Sequence, residues 1–108
     1  MKLTRWDRET LPSRDALRSA LTGEGLTVSE WVDPPGMVYP VHEHANLEVR
    51  WVIQGKMRVG LPESGEEYVL GAGDRMDIPP NTPHWTDVDS AGPVIYLWAT
   101  KNYTNHKK

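Results

Sequence analysis

The residues best suited to chemistry lie in one short segment that carries two histidines and a glutamate. His42 and His44 are two residues apart, and Glu48 follows four residues later. Residues two apart share one face of a strand, whereas on a helix the two rings would diverge, and Pro40 also argues against a helix interior here. Two imidazoles side by side on one face suit a divalent transition metal, so the spacing indicates a metal site.

Glu48 can join this site only if the chain turns back on itself. Along a straight strand Glu48 would lie about 13 Å from His44, at roughly 3.3 Å per residue, whereas metal–ligand bonds are about 2 Å long. We therefore expect a turn near Ala45 and Asn46, because asparagine favours turns, with Glu48 returning on the neighbouring strand. Glu43, between the histidines, should face outward as a solvated surface charge.

A further histidine is a candidate fourth ligand. His84 follows the rigid segment 79–83, which holds three prolines, and it opens a new strand. Of the four histidines in the chain, His106 lies in the C-terminal tail. A single histidine on a strand is usually a core or rim residue, so spacing alone leaves both the structural and the ligand interpretation open.

The same segment resembles the first signature of the cupin superfamily. That signature is a glycine, five residues, His-x-His, three or four residues, Glu, six residues and a glycine. The chain matches this signature at every defined position, namely Gly36, His42, His44, Glu48 and Gly55. The resemblance covers roughly residues 26–100 and is closest to small single-domain bacterial cupins.

The second cupin signature follows downstream with two departures. Its glycine, proline and histidine fall in register at Gly73, Pro79 and His84. Asn81 stands where the family usually has glycine, and Val88 where it usually has asparagine. Asparagine tolerates a left-handed turn conformation better than most residues, and neither departure falls on a ligand position.

The resemblance implies a jelly-roll barrel that holds one metal ion through His42, His44, Glu48 and His84. The resemblance names a family but no reaction. With one metal ion in the barrel, the first candidate function is a metal-dependent enzyme of dioxygenase or isomerase type that acts on a small organic substrate. A non-enzymatic module that binds a small ligand beside the metal, and a purely structural metal site, remain open. Imidazole and carboxylate ligands do not choose among Fe, Mn, Ni, Co, Cu and Zn.

The elements that must position these residues read as one short helix followed by strands. Ser13 can cap a helix over residues 13–22, whose apolar stripe ends at glycines. About eight short strands with regular turns then predict an all-β barrel. They are Leu26–Trp31, Val38–His44, Leu47–Ile53, Lys56–Leu61, Glu67–Leu70, Arg75–Ile78, His84–Val88 and Val94–Thr100. The expected organisation is a helical segment over 1–25, a cupin-type double-stranded β-helix over 26–100 and a flexible polar tail over 101–108.

Two residues are candidates for substrate binding. Strand alternation places Arg50 on the face of Glu48, towards the barrel interior, and Thr86 on the face of His84. A buried arginine is costly unless it is paired. Arg50 therefore forms either a salt bridge, to Asp77 or Glu48, or a clamp for a substrate carboxylate or phosphate. By the same alternation Val88 is also expected to line the cavity, and the face on which Arg75 and Asp77 lie stays open.

Composition bounds the remaining possibilities. A chain of 108 residues with net charge −3 makes one domain and offers no basic field for nucleic acid or membrane. It has no cysteine, which excludes disulfides, thiolate metal sites and a cysteine nucleophile. With no apolar run behind the N-terminus we expect no signal peptide and a cytoplasmic protein. Five Trp, four Tyr and no Phe either pack the core or line a pocket or interface, with Trp51 and Trp85 as candidates for a homodimer contact.

Overall fold

The computed structural model describes residues 1–101 and contains one helix and nine strands in that range. The helix, α1, spans Arg14–Gly23. The strands are β1 Lys2–Thr4, β2 Thr27–Asp33, β3 Val38–His42, β4 Glu48–Gln54, β5 Met57–Leu61, β6 Glu66–Leu70, β7 Arg75–Ile78, β8 His84–Asp87 and β9 Val94–Thr100. The predicted all-β barrel with a short N-terminal helix is confirmed.

The strands form two antiparallel sheets. The five-stranded sheet has the order β1-β7-β4-β9-β2, and the four-stranded sheet has the order β3-β8-β5-β6. Strands β3 and β4 therefore follow one another in sequence but lie in different sheets. The chain crosses between the two sheets over residues 43–47, and this crossing brings residues near the end of β3 towards the start of β4.

Helix α1 forms because its sequence supplies both a cap and an apolar stripe. The Ser13 side chain accepts a hydrogen bond from the backbone N–H of Ala16 at 3.3 Å, and Asp15 lies in the first turn. The buried residues Leu17 and Leu21 pack on the outer face of the five-stranded sheet, against Val49, Leu97 and Ala99. The helix therefore covers part of the outer face of this sheet.

The main core lies between the two sheets. It contains nine buried side chains: Val52, Met57, Val59, Leu70, Met76, Ile78, Val88, Val94 and Tyr96. The inward face of β4 changes along its length, from Val52 in this core to the charged residues Glu48 and Arg50. The interior is thus apolar at one end and polar at the end where β4 begins.

Two signature positions are explained by backbone geometry. Gly73 has φ +91°, and a Cβ there would overlap the ring of Trp6. Asn81 has φ 58°, the left-handed conformation expected at this position. Its backbone N–H donates to the carbonyl of His44 at 2.7 Å, so the turn before β8 is tied to the chain just after β3.

The structure corrects the sequence analysis at several boundaries. Strand β1 was not predicted, because three residues carry too little pattern, yet it pairs with β7 in register. Strand β3 ends at His42, so His44 lies beyond it, and β4 is across the barrel rather than beside β3. The predicted flexible tail lies outside the described residues, apart from Lys101. Over residues 1–101, no helix is long and apolar enough to cross a membrane.

Candidate metal centre

Three histidines from two separate parts of the chain meet at the polar end of the barrel. One ring nitrogen each of His42, His44 and His84 lies within 4.8 Å of the others. His42 is the last residue of β3 and His84 the first of β8, and the two are paired in the sheet register. Their ring centroids are 4.4 Å apart, and those of His42 and His44 are 4.8 Å apart. Three imidazoles this close can hold one metal ion.

Backbone carbonyls orient two of the three rings. His84 Nδ1 lies 2.8 Å from the carbonyl oxygen of Thr82, and His42 Nδ1 lies 2.7 Å from that of Pro40. A carbonyl can only accept a hydrogen bond, so Nδ1 carries the proton in both rings. Each Nε2 is then left with a free lone pair. Metal-binding histidines are commonly oriented in this way.

Glu48 stands beside this histidine group. Its Oε1 lies 2.8 Å from His44 Nδ1 and 3.5 Å from His84 Nε2. Although the first of these distances is short, Oε1 has no hydrogen-bond partner among the described residues, because the geometry to either ring is unsuitable. His84 Nε2 also has none, so two buried polar atoms face each other unpaired. The turn expected near Ala45 and Asn46 is what brings Glu48 here.

This arrangement fits a metal ion better than it fits the protein alone. Buried polar atoms are nearly always hydrogen-bonded, and two lone pairs facing each other are unfavourable. A shared cation satisfies both at once. Ligand atoms about 2.1 Å from one ion lie roughly 3.0–3.4 Å from each other. The two Glu48 distances, 2.8 and 3.5 Å, are close to this range, whereas the three histidine nitrogens are spread over up to 4.8 Å.

The second carboxylate oxygen of Glu48 is held by Arg50. Arg50 Nε donates to Glu48 Oε2 at 2.7 Å, and Arg50 Nη1 donates to Thr86 Oγ1. The side chains of Glu48 and Arg50 are only 2% and 6% exposed. Burial alone would raise the pKa of the Glu48 carboxyl, whereas the Arg50 guanidinium beside it lowers the pKa, and the net pKa lies well below its usual value. Glu48 is therefore ionised.

A cavity of about 220 Å³ opens over this group. His42, His44, Glu48 and Arg50 line its floor, and the walls are aromatic, formed by Trp31, Tyr39, Tyr96 and Trp98. Trp31 is 46% exposed and lies on β2, an edge strand, so it borders the opening. The aromatic residues that composition left undecided thus include four that line a cavity.

Asp33 is a residue near the cavity that the sequence analysis missed. It is 3% exposed and accepts hydrogen bonds from the hydroxyls of Tyr39 at 2.9 Å and Tyr96 at 2.8 Å. Burial, together with the hydrogen bond to Asp33, raises the pKa of each of these tyrosines, so both hydroxyls stay protonated. Alternation along β2 would have placed Asp33 on the face of Trp31, but no pattern showed that this face points inward.

The other candidate residues divide between the interior and the surface. Thr86 is buried behind Arg50 rather than on the cavity wall, and Val88 packs in the core. Asp77 pairs with Arg75 and not with Arg50, so the salt bridge proposed for Arg50 is the one to Glu48. Glu43 is exposed, as expected.

Neither tryptophan suggested for a dimer contact offers a bare apolar face. Both rings are partly buried, and each has a guanidinium over it: Arg75 on Trp51, and Arg58 on Trp85. The indole N–H of Trp51 also donates to the carbonyl of Gly73. A homodimer remains a prediction.

Comparison with known protein families gives one clear match. A family model described as a cupin domain matches residues 29–100. The match begins in β2 and ends at the last residue of β9. It therefore includes all four residues of the candidate metal centre and both sheets except β1.

Several known proteins are similar to this chain. An acireductone dioxygenase from Alcanivorax borkumensis is 33% identical over 66 residues, which are 59% of this chain and 35% of that protein. The DMSP lyase DddQ from Ruegeria pomeroyi has a TM-score of 0.65 at 25% identity, covering 73% of this chain and 39% of that one. An RmlC-like cupin from Shewanella frigidimarina has a TM-score of 0.60 at 24% identity, covering 74% and 69%. The chain thus spans about a third of the acireductone dioxygenase that it matches.

Proposed function

The chain belongs to the cupin-domain family, and on that basis we propose that it is a metal-dependent enzyme that acts on a small organic substrate. We assign one divalent transition-metal ion to the four side chains of the candidate centre, namely His42, His44, Glu48 and His84. The observation that carries the proposal is the pair of buried, unpaired atoms Glu48 Oε1 and His84 Nε2, 3.5 Å apart.

A bound ion of this kind supplies Lewis acidity or, if it is iron, manganese or copper, one-electron chemistry. The protein supplies the rest. Backbone carbonyls fix the rings of His42 and His84, and Arg50 holds the free oxygen of Glu48, so the ligands are oriented in advance. The aromatic walls exclude water from a substrate placed against His44, whose side chain is 42% exposed towards the opening.

We favour dioxygenase chemistry over isomerase chemistry because of the similarity to acireductone dioxygenases. The similarity extends over 66 residues of the Alcanivorax borkumensis protein, and the chain covers only 35% of that protein. Arg50 is buried at the floor of the cavity and positions Glu48, and Thr86 positions Arg50. We therefore assign both residues a positioning role beside the ion, with Arg50 alone within reach of a substrate.

A non-enzymatic binding module is the second candidate, and one observation favours it. The hydroxyls of Tyr39 and Tyr96 both donate to Asp33 and stay protonated. Among the described residues that line the cavity, only the histidine group, Glu48 and Arg50 are then left to take part in proton transfer. Such a site binds a ligand readily but has few groups for turnover.

Oxygen uptake separates these two functions. Protein loaded with Fe²⁺ is mixed with acireductone in an oxygen electrode, and binding is followed separately by tryptophan fluorescence, since Trp31 and Trp98 line the cavity. The proposal predicts uptake that is lost in Glu48→Gln and kept in the matched control Glu43→Gln, which changes an exposed carboxylate. Binding without uptake would favour the binding module. Failure to load Fe²⁺, Ni²⁺ or Zn²⁺ would overturn the assignment of the ion.

A further inference from the structure

A buried carboxylate without a cationic partner lies against the cavity wall. Asp33 is 3% exposed, and its two oxygens accept only the hydroxyls of Tyr39 and Tyr96. No lysine or arginine within residues 1–101 forms an ion pair with it. Accepting two hydroxyl donors is the arrangement of an ionised carboxylate, so Asp33 keeps a negative charge just behind the aromatic wall.

The buried charges around the cavity do not cancel. Glu48 and Arg50 neutralise each other through their 2.7 Å contact, which leaves the charge of Asp33 uncompensated. The protein part of the cavity is therefore negative by one unit. A divalent ion at the proposed centre reverses this to a surplus of one positive charge. Uncompensated charge is costly where it is removed from water, so one negative charge from a ligand would balance it.

The shape of the cavity indicates the rest of the ligand. Its walls are the rings of Trp31, Tyr39, Tyr96 and Trp98, whereas its charged residues are confined to the floor. The hydroxyls of both tyrosines are already bound to Asp33, so the walls offer ring faces and edges rather than free polar groups. Flat apolar groups pack best against such surfaces.

We propose that the metal-loaded cavity selects a planar, apolar ligand with a single negative charge, and that Asp33 sets this charge preference. The inference rests on the proposed metal centre. Without Asp33 the loaded cavity would carry two surplus positive charges and would favour a dianion. Asp33 thus acts as a specificity-determining residue although it does not line the cavity.

Isothermal titration of Zn²⁺-loaded protein with three naphthalene probes tests the preference. The probes are 2-naphthoate, its neutral counterpart 2-naphthamide, and the dianion 2-naphthyl phosphate. We expect 2-naphthoate to bind about tenfold more tightly than 2-naphthamide. This is the effect of one ligand charge roughly 10 Å from the surplus positive charge, at an effective dielectric constant of about 20. Zinc content is measured first, so that loading and ligand preference are separate results.

Variants isolate the contribution of Asp33. When the affinity ratio of 2-naphthyl phosphate to 2-naphthoate is compared between a variant and the wild-type protein, the intrinsic attraction of each head group for zinc cancels. In Asp33→Asn this ratio should rise about tenfold, and in the control Asp77→Asn, which changes a carboxylate paired with Arg75, it should not move. If Asp33→Asn does not fold, Asp33→Ser, which also removes the carboxylate, should raise the ratio as well.

Each contrary result has a distinct meaning. Equal binding of 2-naphthoate and 2-naphthamide by fully loaded protein would overturn the charge preference and leave the metal centre standing. An unchanged ratio in a folded variant that lacks the Asp33 carboxylate would remove the role of Asp33. Failure of zinc to load would overturn the proposed metal centre and this inference together.

Discussion

The buried pair of Glu48 and Arg50 makes the sharpest prediction about stability. The two side chains are 2% and 6% exposed and meet at 2.7 Å. Removing one partner leaves the other charge buried without compensation, which typically costs about 3–5 kcal/mol. We therefore expect Glu48→Gln and Arg50→Met each to lower the free energy of unfolding of the metal-free protein by about 3 kcal/mol. This is the lower end of that range, because Gln keeps one acceptor in the first variant and Glu48 can take up a proton in the second.

The double variant Glu48→Gln/Arg50→Met should lose much less than the two single losses combined. Replacing a buried ion pair as a whole removes both desolvation costs along with the attraction. We expect a coupling free energy of about 2 kcal/mol or more, which residues in direct contact commonly show. The pair of Arg58 and Asp87, whose side chains are 36% and 18% exposed, serves as the control, and its coupling should be smaller because solvent partly screens it.

Urea denaturation at pH 7.5 in the presence of a chelator measures all four forms of each cycle. The chelator is essential, because a bound ion would add its own stabilisation to every form that retains the ligands. If the losses in the Glu48 and Arg50 cycle add to within about 0.5 kcal/mol, the two charges are not coupled. The account of an oriented, ionised Glu48 would then be wrong.

Two further predictions concern the parts of the fold that support the site. Asp74 accepts the backbone N–H groups of Trp6 and Gly71, both at 2.9 Å, and despite burial these contacts lower its pKa below the usual value. The stabilisation by ionised Asp74 is therefore complete near neutral pH and is lost as pH falls through the folded pKa. Asp74→Asn should lower the free energy of unfolding by about 2 kcal/mol at pH 7 and by progressively less towards pH 3. An equal loss at both pH values would contradict this. Gly60→Ala should lose about 1–3 kcal/mol in thermal unfolding because the added Cβ overlaps the ring of Trp85, and a wild-type melting temperature would refute the packing described.

Local patterns were sufficient to predict most of the elements. Ser13 and the apolar stripe of α1 are both local signals, and the helix and eight strands appear with boundaries shifted by a few residues at most. Strand β1 was missed because three residues carry no period. Its position depends on pairing with β7 and on the contact of the N-terminal segment with Asp74. Both partners are far from β1 in the sequence.

Spacing and family resemblance were sufficient to predict which histidines lie together at the site. The structure brings His42, His44 and His84 together, although His44 lies beyond β3 and strand alternation is not what pairs it with His42. The contact between Arg50 and Glu48 was one of the stated alternatives. Asp33 was not foreseen, because its importance comes from two tyrosines on other strands, and a single sequence does not reveal which face of β2 points inward.

The metal content of purified protein tests the central claim most directly. Elemental mass spectrometry on the native protein, on His84→Ala and on the control Glu43→Gln should find close to one divalent ion per chain in the native and control forms and a clear loss in His84→Ala. Circular dichroism establishes that each form is folded. Native protein that holds no ion after reloading with Fe²⁺, Mn²⁺, Ni²⁺, Co²⁺, Cu²⁺ and Zn²⁺, or a folded His84→Ala that keeps a full complement, would contradict the account.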